Sequence, residues 1–126
     1  MTMPTSTLYE RVGGRDFFVT LIERFYEAVA GDPVLRPIYP SDLGPPKAHL
    51  AGFLAEYWGG PPQYTAERGH PRLRMRHVRF AIGRGVRDAW VGHMRAALES
   101  ADVSPDDAAL LAEYFEDTAT FLINRS

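Results

Sequence analysis

Between Arg15 and Ala30, the residues Phe17, Phe18, Leu21, Ile22, Phe25, Tyr26 and Val29 recur three and four apart. That spacing turns all seven onto one broad face of a helix, and onto neither single face of a strand. Gly31 closes the segment. A second stretch, from about Val86 to Ser100, brings Trp90, Val91, Met94, Ala97 and Leu98 inward with the same period. A third opens at Ser104-Pro105-Asp106-Asp107: a capping serine, a first-turn proline and acids at the positive end of the helix dipole. Its face continues through Leu111, Tyr114, Phe115, Thr118, Phe121 and Leu122. No segment alternates with period two between hairpin turns. The pattern predicts an all-α fold.

Shorter pieces fill the intervals. Residues 1–6 read as a lead-in, and 7–126 as a single domain. Ser6 or Thr7 is placed to cap one turn through Leu8, Tyr9 and Val12, ended by Gly13-Gly14. Asp32-Pro33 predicts a very short helix that stops before Pro37, because the residue preceding a proline is pushed out of helical geometry. A further helix starts at Pro45-Pro46, presents Leu50, Phe53, Leu54 and Tyr57, and stops at Gly59-Gly60-Pro61-Pro62. Residues 59–71 read as a long loop, a kind that is usually functional. A short helical piece is expected from Arg72 to Val78.

Composition removes several classes of chemistry. With 126 residues, 45% of them hydrophobic, the chain can bury a core of its own. The absence of cysteine excludes disulfides, thiolate zinc sites, iron–sulfur clusters, covalent c-type haem and cysteine catalysis. A net charge of −2 argues against a whole-protein nucleic-acid binder. The start has no signal-peptide pattern and no apolar run is long enough to span a bilayer, so the expected compartment is the cytoplasm, with no membrane partner.

Four histidines are present, at 49, 70, 77 and 93, and no two have the i, i+4 spacing of a helical zinc motif. The twenty residues from Arg68 to Arg87 carry seven arginines and no acid. Two readings of that run remain open on residues alone. One is a solvated basic face or local anion site, which as a docking surface for an acidic partner or nucleic acid would make the chain a helical interaction module. The other is a site pairing one histidine with an anionic ligand.

The chain also carries Gly13-Gly14, Arg24-Phe25-Tyr26, Asp32 to Arg36, Tyr39-Pro40, Tyr57-Trp58-Gly59-Gly60-Pro61, Gly69 to His77, and Asp88-Ala89-Trp90. In these motifs and their spacing it resembles the truncated haemoglobins of group II, from Leu8 to about Asn124. The resemblance implies a two-over-two helical sandwich around non-covalent haem b. It implies His77 as the protein ligand of the iron, a role that suits a neutral imidazole. Arg74 or Arg76, and the Tyr64 hydroxyl, are implied as partners of the haem propionates. Tyr26, Tyr39 and Trp90 match the polar aromatics that face a bound gas. Leu50 matches the position above the iron, with Phe53 and Leu54 as apolar haem contacts. Phe80, Val86, Met94, Phe115 and Phe121 are weaker wall candidates.

Pro46 departs from the family pattern, which commonly has a small residue near the entrance. It offers no donor, so polarity there rests on the two tyrosines and Trp90. His49 lies about 100° round its helix from Leu50 and reads as peripheral. His70 and His93 read as surface or supporting groups. The implied partners are diatomic gases: oxygen, with nitric oxide and carbon monoxide as further ligands. Two hydrogen bonds of about 1–2 kcal/mol each would slow release roughly 30- to 1,000-fold. Peroxidase-like or nitric-oxide-consuming chemistry stays open at this point, as does the choice between monomer and homodimer.

Overall fold

The computed structural model describes residues 6–125; most of the expected lead-in, residues 1–5, lies outside the described residues. Seven α-helices are found among them: α1 Leu8–Arg11, α2 Arg15–Ala30, α3 Gly44–Tyr57, α4 Gln63–Arg68, α5 Leu73–His77, α6 Arg84–Glu99 and α7 Pro105–Phe121. A 3-10 turn, Arg36–Ile38, links α2 to α3. The main packing joins α2 to α3, α6 to α7 and α2 to α6. The result is a sandwich of two helix pairs, and no strand occurs among the described residues.

Six of the seven residues predicted on the α2 face are buried, Phe17 alone being partly exposed. They form one core with Leu54, Met94, Leu98, Leu111 and Phe115. The start of α7 is capped as expected, with Ser104 Oγ accepting from Asp107 N at 3.2 Å. The double glycine after α3 does more than end that helix. Gly59 has φ +113°, and a Cβ there would stand 2.5 Å from the Thr7 side chain. This close approach seats α1, whose Tyr9 N donates to Trp58 O at 3.0 Å.

Three local expectations are corrected. The helix predicted at Asp32 is a turn in which Asp32 Oδ1 accepts from Val34 N, and Pro37 lies inside the 3-10 turn that follows. Proline fits there because the first turn needs no donor from it. The 59–71 loop contains α4, whose first turn is held by Glu56: Thr65 donates to that carboxylate from both its backbone N and its hydroxyl. Finally, Tyr57 and Phe121 are exposed, at 54% and 52%. Each lies at the end of its helix, where one side of the ring stays open to solvent even though Tyr57 packs on Tyr114 at 4.3 Å.

Asp107 is the sole buried charged side chain among the described residues. Arg11 Nε and Nη2 both donate to its carboxylate, Nη2 at 2.8 Å, which ties α1 to the start of α7. Hydrogen bonding to that guanidinium holds the Asp107 carboxyl below its ordinary range. The folded state thus favours the ionised form. Its stabilisation is present above the unfolded carboxyl value of about 3.9 and is lost as pH falls through the depressed folded value. Urea titrations should show Asp107→Asn less stable than wild type at neutral pH. The difference should shrink steadily in acid below that range.

Candidate functional site

A cavity of about 490 Å³ lies between the helix pairs, within the range of ordinary small-molecule and cofactor sites. Helix α2 supplies Tyr26, and the following turn supplies Ile38 and Tyr39. Helix α3 supplies Pro46, His49, Leu50, Phe53 and Leu54; α4 supplies Tyr64 and Arg68. Helix α5 and the segment after it supply Leu73, Arg76, His77, Arg79, Phe80 and Ile82. Helix α6 adds Val86 and Trp90, and α7 adds Phe115, Thr118 and Ala119. Leu50, Phe53, Phe80, Val86 and Trp90 are only partly buried although they face inward. Apolar surface left bare inside a fold is what a missing apolar guest would cover.

Of the ten residues the resemblance implies, nine line this one cavity: Tyr26, Tyr39, Leu50, Phe53, Leu54, Tyr64, Arg76, His77 and Trp90. Arg74 does not. Its guanidinium lies over the Phe121 ring, 4.6 Å from the centroid, on an outer groove. Positions 74 and 76 are 200° apart on α5, so only one of the two arginines can turn inward. Among the weaker wall candidates, Phe80, Val86 and Phe115 line the cavity. Met94 is fully buried in the core and Phe121 faces the outer groove.

The imidazole of His77 is held by its own helix. Nδ1 lies 2.6 Å from Leu73 O. A carbonyl only accepts, so Nδ1 carries the hydrogen and, in the neutral ring, Nε2 keeps its lone pair. That tautomer, fixed by a backbone carbonyl, is the one a metal ligand requires. No group of three metal-ligating side chains converges among the described residues.

The strand of chain carrying His77 is anchored by a residue that sequence reasoning missed. Asn124 Nδ2 donates to His77 O at 3.2 Å and to Phe80 O at 2.9 Å, and its Oδ1 accepts from Ile82 N at 2.9 Å. Nothing local marks an asparagine near the C-terminus as a clamp on a turn more than forty residues away. Replacing it by alanine removes three bonds and leaves partly buried backbone groups unpaired, a cost of about 2–3 kcal/mol. Thermal denaturation of Asn124→Ala should show a loss of this size, together with faster escape of any group held by His77.

The tyrosines and Trp90 form one polar cluster. The Tyr26 and Tyr39 rings meet edge to face at 5.4 Å, and Trp90 packs on Phe25 at 5.1 Å. Burial pushes both phenols above their usual range, so they are protonated donors at neutral pH. The Tyr26 and Trp90 donor groups near the Tyr39 hydroxyl partly offset that effect at Tyr39.

The rim is cationic. Arg68, Arg76, Arg79 and Arg87 line the cavity, of which only Arg76 was anticipated there. The Arg68 Nε atom is shielded from solvent and has no hydrogen-bond partner, an orphan donor that a carboxylate would satisfy. His49 is solvent-facing, as expected, with Nε2 3.0 Å from Arg68 Nη1. Desolvation and the charges of Arg68 and Arg76 lower its pKa. His93 supports the fold from outside, 2.6 Å from Asp32. His70 is exposed and accepts from Arg72 N. Arg72 has φ +48°, so the turn into the His77 helix is made by a left-handed non-glycine residue.

An apolar slot, one oriented imidazole, a cluster of polar aromatics and a guanidinium rim thus share one cavity. Residues 7–124 match the bacterial-like globin family. A group 2 truncated hemoglobin of Bacillus subtilis is 39% identical over 118 residues, covering 94% of this chain and 89% of that protein. The thermostable hemoglobin of Thermobifida fusca superposes with a TM-score of 0.92 at 49% identity, over 94% of this chain and 98% of that one. A truncated oxygen-avid haemoglobin from Bacillus subtilis gives 0.89 at 39% identity, over 94% and 100%. The chain belongs to the bacterial-like globins, in the group II truncated haemoglobin branch. Membership implies haem and the binding of diatomic gases such as oxygen.

Proposed function

We propose that this chain holds haem b without covalent attachment and binds oxygen and other diatomic ligands reversibly, releasing them slowly. His77 Nε2 would be the protein ligand of the iron, with Arg68 and Arg76 on the propionates and the Tyr64 hydroxyl as a further contact. Leu50, Phe53 and Leu54 would cover the porphyrin face and exclude water. When bound, the haem supplies the iron centre at which a gas is held. The remaining work falls to the side chains.

Leu73 O fixes the imidazole proton on Nδ1 and so keeps Nε2 available. Tyr26, Tyr39 and Trp90 all line the cavity, with protonated hydroxyls and an indole N–H able to donate to a guest. Donors in a dry site bind more strongly than the same groups in water. The observation that carries this reading is the convergence of these two features, the oriented imidazole and the clustered polar aromatics, on one cavity. A haem-free module would explain the arginines but leaves the cavity without a purpose. The related oxygen-avid haemoglobin of Bacillus subtilis supports slow release.

The test is spectroscopic. Purified protein should show a Soret band, yield a pyridine haemochrome typical of haem b, and change spectrum reversibly on oxygenation of the reduced form. A colourless protein that takes up no added haem would overturn the proposal. No helix among the described residues is long and apolar enough to cross a membrane.

A further inference from the structure

A second, open groove of about 820 Å³ adjoins the first cavity, sharing Phe53, Leu73, Tyr114 and Thr118 with it, between the α4–α5 segment and α7. Of the seven large apolar side chains exposed among the described residues, three line this groove: Tyr57, Met75 and Phe121. Leu110, also exposed, lies on the same face of α7, about 20° from Phe121 around the axis and three turns nearer the N-terminus. Exposed apolar side chains gathered in one groove are of the kind that marks an interface.

The charges flanking the patch say what fits it. His70, Arg72 and Arg74 form one wall. Asp117 lines the other, and Glu113 lies one turn away on the same edge of α7. Neither arginine and neither acid enters an ion pair among the described residues. A uniformly acidic partner would be repelled by Glu113 and Asp117, and an uncharged one would leave both walls without counterions. A partner carrying the same pattern reversed matches both walls, and a two-fold copy of this chain does so.

We propose that this groove is the isologous interface of a homodimer. The Leu110–Phe121 stripe of each copy packs against the apolar floor of its mate. Arg72 and Arg74 of one copy face Glu113 and Asp117 of the other. Arg74, turned away from the haem pocket and stacked on Phe121, belongs to this surface. Because the groove shares four lining residues with the cavity, the proposal rests on the haem reading and is tested on the haem-loaded chain.

Sedimentation velocity of the haem-loaded chain from micromolar to millimolar concentration tests it. Wild type should sediment as a dimer at the upper end. Met75→Glu and Arg74→Glu should each raise the dimer dissociation constant about tenfold or more, since every change counts twice across a two-fold axis. The double variant Arg74→Glu with Asp117→Arg should recover most of that loss, because the swap restores both pairs. Leu110→Glu gives a check on α7, far from the His77 segment. A wild type that stays monomeric throughout overturns the proposal, even if it sediments with anionic lipid vesicles through this face. So does a dimer indifferent to Met75→Glu and Leu110→Glu, or a double variant no tighter than Arg74→Glu.

Discussion

The His77→Gly protein should lose its haem on purification, and free imidazole added with haem should restore the Soret band. The proposed iron ligand, His77, has its Nδ1 committed to Leu73 O, which leaves Nε2 available. Disturbing only the outer partner of a metal-ligating histidine typically costs 10- to 100-fold in affinity, so deleting the ring should weaken haem retention by more than about 100-fold. The space left by the ring is large enough for exogenous imidazole, which lacks only the tether. A haem titration followed by absorbance, with and without imidazole, reads both effects. Retention of haem with unchanged affinity would move the iron ligand elsewhere. Failure of imidazole to rescue would point to collapse of α5.

The second large effect concerns gas release. Tyr26, Tyr39 and Trp90 share the cavity wall, with the two tyrosine rings edge to face at 5.4 Å, so on the proposed function the three serve as one cluster of donors. Removing one member by Tyr39→Phe or Trp90→Phe should speed oxygen release by about 5- to 30-fold, the equivalent of 1–2 kcal/mol. The double variant should reach roughly 30- to 1,000-fold if the two losses add. Because the rings are in contact, a shortfall from additivity would measure their coupling. Stopped-flow displacement of oxygen by carbon monoxide gives the rates. An unchanged rate in the double variant would remove these residues from gas binding and leave them as core aromatics.

The legible parts of this fold are those set by local rules. The α2 face could be read because its period and its closing glycine lie within one segment. The start of α7 could be read because Ser104, Pro105 and the acids act on the same helical turn. Helix α4 could not, since the group satisfying its first turn is the side chain of Glu56, on the preceding helix. The same division runs through the pocket. Nine of ten implied residues line the cavity, because family spacing encodes which turns face inward. Arg74 and Arg76 are two residues apart, and only the rotation of a five-residue helix decides between them. Arg68 as a rim donor and Asn124 as a clamp depend on contacts between distant segments, for which no motif exists.

The axial bond itself is the most direct point of attack. Resonance Raman spectroscopy of the reduced, gas-free protein reads the iron–histidine stretch. In His77→Gly rescued with imidazole, that band should return and shift to lower frequency when the imidazole is labelled with nitrogen-15. An iron–histidine band that persists unchanged in His77→Gly without imidazole would show that another side chain holds the iron, and would contradict the reading of this cavity.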